Sequence, residues 1–157
     1  YGLGSYSQWN NKLQARISTM MMSINAFKGI EIGTGFKSAT KFGSQVHDEI
    51  GYENGKFTRY TNNAGGIEGG MSNAQPIVIW MSMKPISTLI KPLRSVDIAT
   101  HEKKNAHKER TDSCAVPAAS VVSESMLCIT LLDALLEKFG GDSVNQLKSH
   151  MNSSAKY

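Results

Sequence analysis

The chain has 157 residues, 40% of them hydrophobic, and a formal charge of +4. That length fits one domain or a part of something larger, and that apolar content excludes a disordered protein. The excess of 17 basic over 13 acidic residues favours anionic partners. The bases form no continuous stripe with interleaved aromatics, so small phosphorylated or carboxylated ligands are expected ahead of nucleic acid.

Trp9, Leu13, Ile17, Met20, Met21 and Ile24 recur at spacings of three and four, which predicts an amphipathic helix with Ser7 as its cap. Met20 to Met22 read as adaptable core filler, with a flavin-facing methionine as the less favoured alternative. Phe27 to Ile32 predicts a strand, Ile30 and Ile32 alternating against Glu31. Residues 33–60 are polar and punctuated by glycines, and read as a long mobile excursion of the kind that serves as a lid or binding loop. His47 within it reads as a solvated loop histidine in preference to a catalytic one.

Residues 76–84 give the clearest strand, with Ile77, Ile79, Met81 and Met83 on one face and Val78, Trp80 and Ser82 on the other. Apolar residues on both faces predict a strand that is central or covered on both sides. A further strand fits residues 93–99, and residues 101–109 read as a solvated helix or loop. Pro117 suits the first position of a long helix, with Val121, Val122, Met126, Ile129, Leu132, Leu136 and Phe139 as its apolar face and Gly140-Gly141 as its end. Ser143 and Gln146 have capping-box spacing for a last helix reaching Met151. The sum is an α/β chain of two or three long helices and several strands, without internal repeat or dividing linker.

No apolar run is expected to reach bilayer-spanning length, and there is no signal pattern. The start at Tyr1 without methionine points to a processed chain or a piece. If helix fills most of the interval between Cys114 and Cys128, they lie on the order of 16–20 Å apart, too far for a bridge. Reduced thiols point to the cytoplasm. No Cys and His spacing suits zinc, so no metal is expected.

Three runs could carry chemistry. Gly65, Gly66, Gly69 and Gly70 lack Cβ atoms, so their amides can approach a flat or anionic ligand; a structural turn would need the same freedom. The run has no terminal Gly-Lys-Ser/Thr and precedes a strand, so it is not a nucleotide P-loop. Lys84, followed by Pro85, Ile86, Ser87 and Thr88, sets a cation and two hydroxyls at a strand end, suited to a phosphate or a flavin edge, with a snorkelling lysine as the competing reading. Arg110 and Asp112 flank Thr111 ahead of a helix N-terminus, where an arginine that binds phosphate or carboxylate is reinforced; an Arg–Asp structural pair competes. No nucleophile–base triad assembles around Ser72 or Ser113. The residues alone describe an anion-binding surface short of a complete active site.

Taken together the runs closely resemble chorismate synthase: Gly2 to Ser5 with Trp9 and Leu13; Met22 to Glu31; Thr61 to Ile77; Lys84 to Thr88 with Pro92 to Asp97; Arg110 to Val122; and Ala134 to Ser143. The resemblance covers nearly the whole chain, in order. It implies a lyase of the shikimate pathway of aromatic amino-acid biosynthesis, eliminating phosphate and a ring proton from 5-enolpyruvylshikimate 3-phosphate with reduced FMN and no net redox change; NADP accompanies it as an associated nucleotide. By resemblance, Asn25, Ala26, Gly69, Lys84, Pro85, Ile86, Ser87, Thr88 and Arg110 are flavin contacts. Arg110 also meets the anionic substrate, and Asp112 is the carboxylate that assists proton movement.

The implied fold is α+β, about half of a β-α-β-α sandwich of antiparallel sheet packed against long helices. Residues 1–157 would be the C-terminal part of one domain, and the full-length family is a cytoplasmic homotetramer. Thr111 stands for a usual serine, Ala74 for a usual glycine and Met126 for a small residue. The family's Gly-Glu-Ser-His-Gly motif, its second catalytic histidine and its Ser-Ala-Arg motif are absent. His47, His101, His107 and His150 do not match those contexts, so the chain alone is expected to be inactive. The alternative is a non-catalytic flavin- or anion-binding fragment.

Overall fold

The computed structural model describes residues 2–108 and 114–154. Its core is organised around helix α1 (Leu13–Met22), whose Leu13, Ile17 and Met21 recur every four residues and are fully buried. Burying a side chain of that size contributes about 2 kcal/mol. The helix starts later than the predicted cap: Lys12 is the N-cap and makes no side-chain bond. The Leu13 amide instead donates to the Gly70 carbonyl at 2.8 Å, so a distant backbone group satisfies this end of the helix. Ser7 and Gln8 are held in a turn by the Ser5 hydroxyl, and Trp9 is 85% exposed, off the core face. Of the three methionines Met21 is core and Met22 is exposed.

Strand β1 (Phe27–Ile32) follows where the sequence predicts it. Residues 33–60 carry regular structure: 3-10 turns at Gly35–Thr40 and Gly43–Gln45, then a hairpin of β2 (Ile50–Glu53) and β3 (Lys56–Arg59) turned on Asn54-Gly55. Both turn residues have positive φ, which Asn-Gly accommodates. The short strands β4 (Ile67–Glu68) and β5 (Met71–Ser72) pair around Gly69-Gly70. Strand β6 (Ile79–Met83) pairs antiparallel with β1, Phe27 opposite Met83 and Ile32 opposite Ile79. It belongs to a two-stranded ladder, so the expectation of a central strand is not met among the described residues. Ile79, Met81 and Met83 are half-buried, whereas Trp80 and Ser82 are exposed; only one face is covered.

β7 (Arg94–Val96) pairs with β8 (Lys103–Asn105), which places a strand where a solvated helix or loop is expected. Helix α2 (Val116–Phe139) has Pro117 in its first turn and Gly140, at φ 61°, as its C-cap. Ser143 caps α3 (Val144–Ser153), its hydroxyl accepting from the Gln146 amide at 3.3 Å. The Gln146 side chain returns to the Asp142 amide, one residue before the position a capping box predicts.

α2 packs on α1 through Thr130 and Ala134, with Leu127, Leu131 and Leu135 beside them. The predicted apolar face is largely the other one: Val121, Val122, Ile129, Leu132 and Leu136 are exposed. Periodicity cannot choose between the two because α2 is apolar nearly all round, with mean hydropathy 1.7 over its apolar window. By length and composition α2 could cross a membrane, which corrects the expectation that no run reaches that length. Here it is fastened to α1 by Arg16, whose guanidinium pairs with Asp133 and Glu137. Burial opposes the Arg16 charge, but the hydrogen bonds and fields of those two carboxylates outweigh it and raise its pKa. All four strand pairs are antiparallel, and the chain is α+β.

Candidate cofactor-binding site

The β1–β6 ladder has two ends, and they gather different residues. At the Phe27–Met83 end the Lys84 amide donates to the Ala26 carbonyl at 2.7 Å. That bond sets the Asn25-Ala26 turn against the Lys84–Thr88 segment. Asn25, Lys84 and Ser87 are exposed, and Ala26 holds φ at 69°, a left-handed conformation that costs an L-residue roughly 1–2 kcal/mol. Thr88 Oγ1 is buried yet makes no hydrogen bond among the described residues. A buried hydroxyl without a partner costs about 1–3 kcal/mol, so a group that supplies one would be bound favourably. A cation and a strained turn therefore adjoin at one end of the ladder, with two hydroxyls three and four residues further along the chain. These residues suit the phosphate or polar edge of a flavin.

An apolar cleft of about 470 Å³ runs along the ladder from Ile79 to Phe27 and Met83, between it and the start of α2, lined there by Val116, Ser120 and Glu124. Residues 109–113 precede α2 in the sequence; Arg110 and Asp112 lie outside the described residues.

The Ile32–Ile79 end is where the glycine run docks, and most of that run is spent on the chain itself. Gly33 and Gly65 pack so closely that a Cβ on Gly65 would lie 2.3 Å from the Gly33 nitrogen. Gly66 is buried under the Pro76 carbonyl and Gly70 under that of Ser5. The amides are used as well: Gly65 N–H donates to the Asn62 carbonyl and Gly66 N–H to the Asn62 side chain. Only Gly69, at φ 59°, would place a Cβ in open space among these four. The structural-turn reading thus holds for Gly65, Gly66 and Gly70. Gly69 stays available to a ligand, but it shares a cleft with Ile32, at the far end of β1 from Ala26, a separation of roughly 20 Å by strand rise.

Sequence reasoning missed Asp48. Its carboxylate accepts from the Asn63 amide at 2.7 Å, the Ala64 amide at 2.9 Å and the Thr61 hydroxyl at 2.5 Å. Burial would raise its pKa; the hydrogen bonds from Thr61, Ala64 and Asn63 prevail and lower it. The anion that this loop's successive amides cradle is the chain's own. Only an acidic residue beside a histidine in a polar stretch marked it in sequence, and its partners lie 13 to 16 residues on. Cys114 and Cys128 are free and exposed. Among the described residues no cluster of His, Cys, Asp and Glu could hold a metal ion.

Comparison with known proteins decides the kinship. A family model described as chorismate synthase matches residues 1–136. The chain belongs to the chorismate synthase family. It is 60% identical over 148 residues to the chorismate synthase of Aquifex aeolicus (strain VF5), covering 94% of this chain and 37% of the relative. Against the enzyme of Geotalea daltonii the identity is 56% over 155 residues, with 94% and 39% covered. A crystal structure of chorismate synthase superimposes with a TM-score of 0.76 at 47% identity, over 96% of this chain and 38% of that one. The chain thus spans about two fifths of the length of the relatives it matches.

Proposed function

We propose that this chain forms part of a cytoplasmic chorismate synthase. The reaction eliminates phosphate from 5-enolpyruvylshikimate 3-phosphate: one C–O bond breaks, a ring proton leaves, and a double bond forms without net redox change. Reduced FMN, when bound, supplies electron density to the carbon that loses phosphate. The single observation that supports this reading is the end of the β1–β6 ladder, where Lys84 is bonded to the strained Ala26 turn and leads into Thr88, whose buried hydroxyl has no partner among the described residues.

Lys84 would neutralise a phosphate or flavin oxyanion there, and Ser87 and Thr88 would donate to it. Arg110 is assigned to the substrate's anionic groups and Asp112 to proton movement. Gly69 is the one glycine of its run assigned to the ligand.

The rest of a family-length chain, and other copies in a homotetramer, would cover the exposed apolar side of α2; Ile129 and Leu132 are more than half exposed here. The chain alone would then lack activity, because the missing histidine motifs supply the proton transfers. A non-catalytic flavin- or anion-binding fragment is the second reading, since Lys84 and Thr88 would hold an anion without any proton-transfer group.

FMN titration followed by flavin fluorescence tests the site. Lys84→Ala should weaken FMN about tenfold, the worth of one charge-assisted hydrogen bond, while leaving the urea midpoint unchanged. An unaltered dissociation constant would remove Lys84 from the site. Adding the family's N-terminal segment should restore phosphate release. Binding without any phosphate release from well-folded material would favour the second reading.

A further inference from the structure

The 33–60 segment and the glycine-rich loop are distant in neither space nor chemistry, yet they join through very few groups. Thr34 N–H donates to the Asn63 carbonyl at 2.8 Å, and Thr34 Oγ1 to the Asn63 side chain at 3.1 Å. Arg59 also pairs with Glu68, and among the described residues the hydrogen bonds from 43–49 to the loop end on one carboxylate, that of Asp48. Two successive backbone amides and a hydroxyl converge on it, an arrangement that binds an anion tightly when its donors have no better partner. Beyond it the loop continues through the closely packed Gly65 and the β4–β5 turn to Gly69, which lines the same polar cleft of about 330 Å³ as Asp48.

We propose that Asp48 is a positioning residue: its carboxylate clamps the 61–64 loop so that the Gly69 backbone is presented to the cleft. Its importance for ligand rests on the functional reading above; its clamping of the loop does not. Asp48 acts through the loop and touches no reacting atom. The charged groups around it are His47 and Glu68, which line the cleft, Glu49 next along the chain, and Arg59, which is paired with Glu68. Glu68 is further held by the Asn73 side-chain amide, so among the described residues the carboxylate serving the Asn63 and Ala64 amides is that of Asp48.

The carboxylamide of Asp48→Asn keeps the shape but can accept at one oxygen only, and it turns a donor toward an amide. Amide hydrogen exchange on the intact natural polypeptide provides the test. Asp48→Asn should speed exchange of the Asn63 and Ala64 amides at least tenfold and leave the amides of α1 and α2 as they were. Thr61→Val, which removes one of the three bonds, should give a smaller change in the same two amides. In the wild type those amide shifts should titrate together, with a midpoint below about 3.9, the usual Asp value; the lowered pKa means the clamp is complete above that value and is lost as pH falls through the folded one. The common titration should vanish in Asp48→Asn, which a merely space-filling role would not predict.

Unchanged exchange at Asn63 and Ala64, or acceleration matched throughout α1 and α2, would overturn the clamp. FMN affinity separates this from the functional reading. A loosened loop with weaker FMN supports both. A loosened loop with unaltered FMN affinity leaves the clamp standing and removes Gly69 from the flavin site.

Discussion

The two ends of the β1–β6 ladder are built from similar residues and finish differently. Each has an alanine at positive φ nearby, Ala26 at one end and Ala74 at the other, and each gathers asparagine and threonine side chains. At the glycine-rich end the donors find acceptors within the chain, from Asp48, Asn62 and the carbonyls of Gly66 and Gly70. At the Ala26 end Lys84 is exposed and Thr88 Oγ1 is buried without a partner among the described residues. A closed end is a structural joint. An end that leaves polar groups unmet is complete only with something added. Glycine count would have ranked the two the other way, which is why packing must be consulted before a glycine run is assigned to a ligand.

The joint can be broken at its tightest contact. Gly65→Ala adds a Cβ against the Gly33 backbone at a residue with φ 63°, and neither backbone can yield without opening the ladder. Conformational cost and overpacking together should destabilise by about 3 kcal/mol or more, a large share of the usual 5–15 kcal/mol of a domain. Urea denaturation would read this as a shifted midpoint. A loss below about 0.5 kcal/mol would mean the two glycines do not pack as described, and the closed end would lose its definition.

Thr88→Val probes the open end with the opposite expectation. Valine matches threonine in shape and removes a hydroxyl that has no partner, so the ligand-free chain should hold its stability or gain up to about 1 kcal/mol. FMN or phosphate affinity should fall about five- to tenfold, the worth of one hydrogen bond. A destabilised variant would show that Thr88 is satisfied internally, and the contrast between the ends would collapse.

What was legible in the sequence follows from how local each signal is. β1, the Pro117 start, the Gly140 cap and the Ser143 cap rest on neighbours within a few residues, and all four stand where the pattern places them. The start of α1 was not legible, because the carbonyl that satisfies its first amide belongs to Gly70. The buried face of α2 was hidden by apolar residues all round the helix, and Arg16 reaching Asp133 and Glu137 reveals it only in three dimensions. The hairpin at 50–59 did carry a local signal, Asn54-Gly55 between alternating residues, masked by the polarity around it. Of the site, the Lys84–Thr88 turn and Asn25-Ala26 were legible as motifs, but their adjacency depends on strand register. Asp48 was not legible because its role is defined by partners on another loop.

The smallest expected effect is the sharpest comparison, since it applies one substitution to both ends. Alanine in the left-handed region costs roughly 1–2 kcal/mol, and glycine there costs little beyond about 0.4–1 kcal/mol of unfolded-chain entropy. Ala74→Gly, at φ 67°, should therefore stabilise by about 0.5–1 kcal/mol and leave FMN affinity unchanged, because Ala74 does not line the cleft that Gly69 faces. Ala26→Gly, at φ 69°, should give the same gain in urea, yet weaken FMN about threefold by freeing a turn that alanine holds in a single conformation. Equal stabilisation with unequal affinity would mark the Ala26 strain as serving the ligand. Equal behaviour in both measurements would make Ala26 an ordinary turn residue, and the case for the open end would then rest on Lys84 and Thr88.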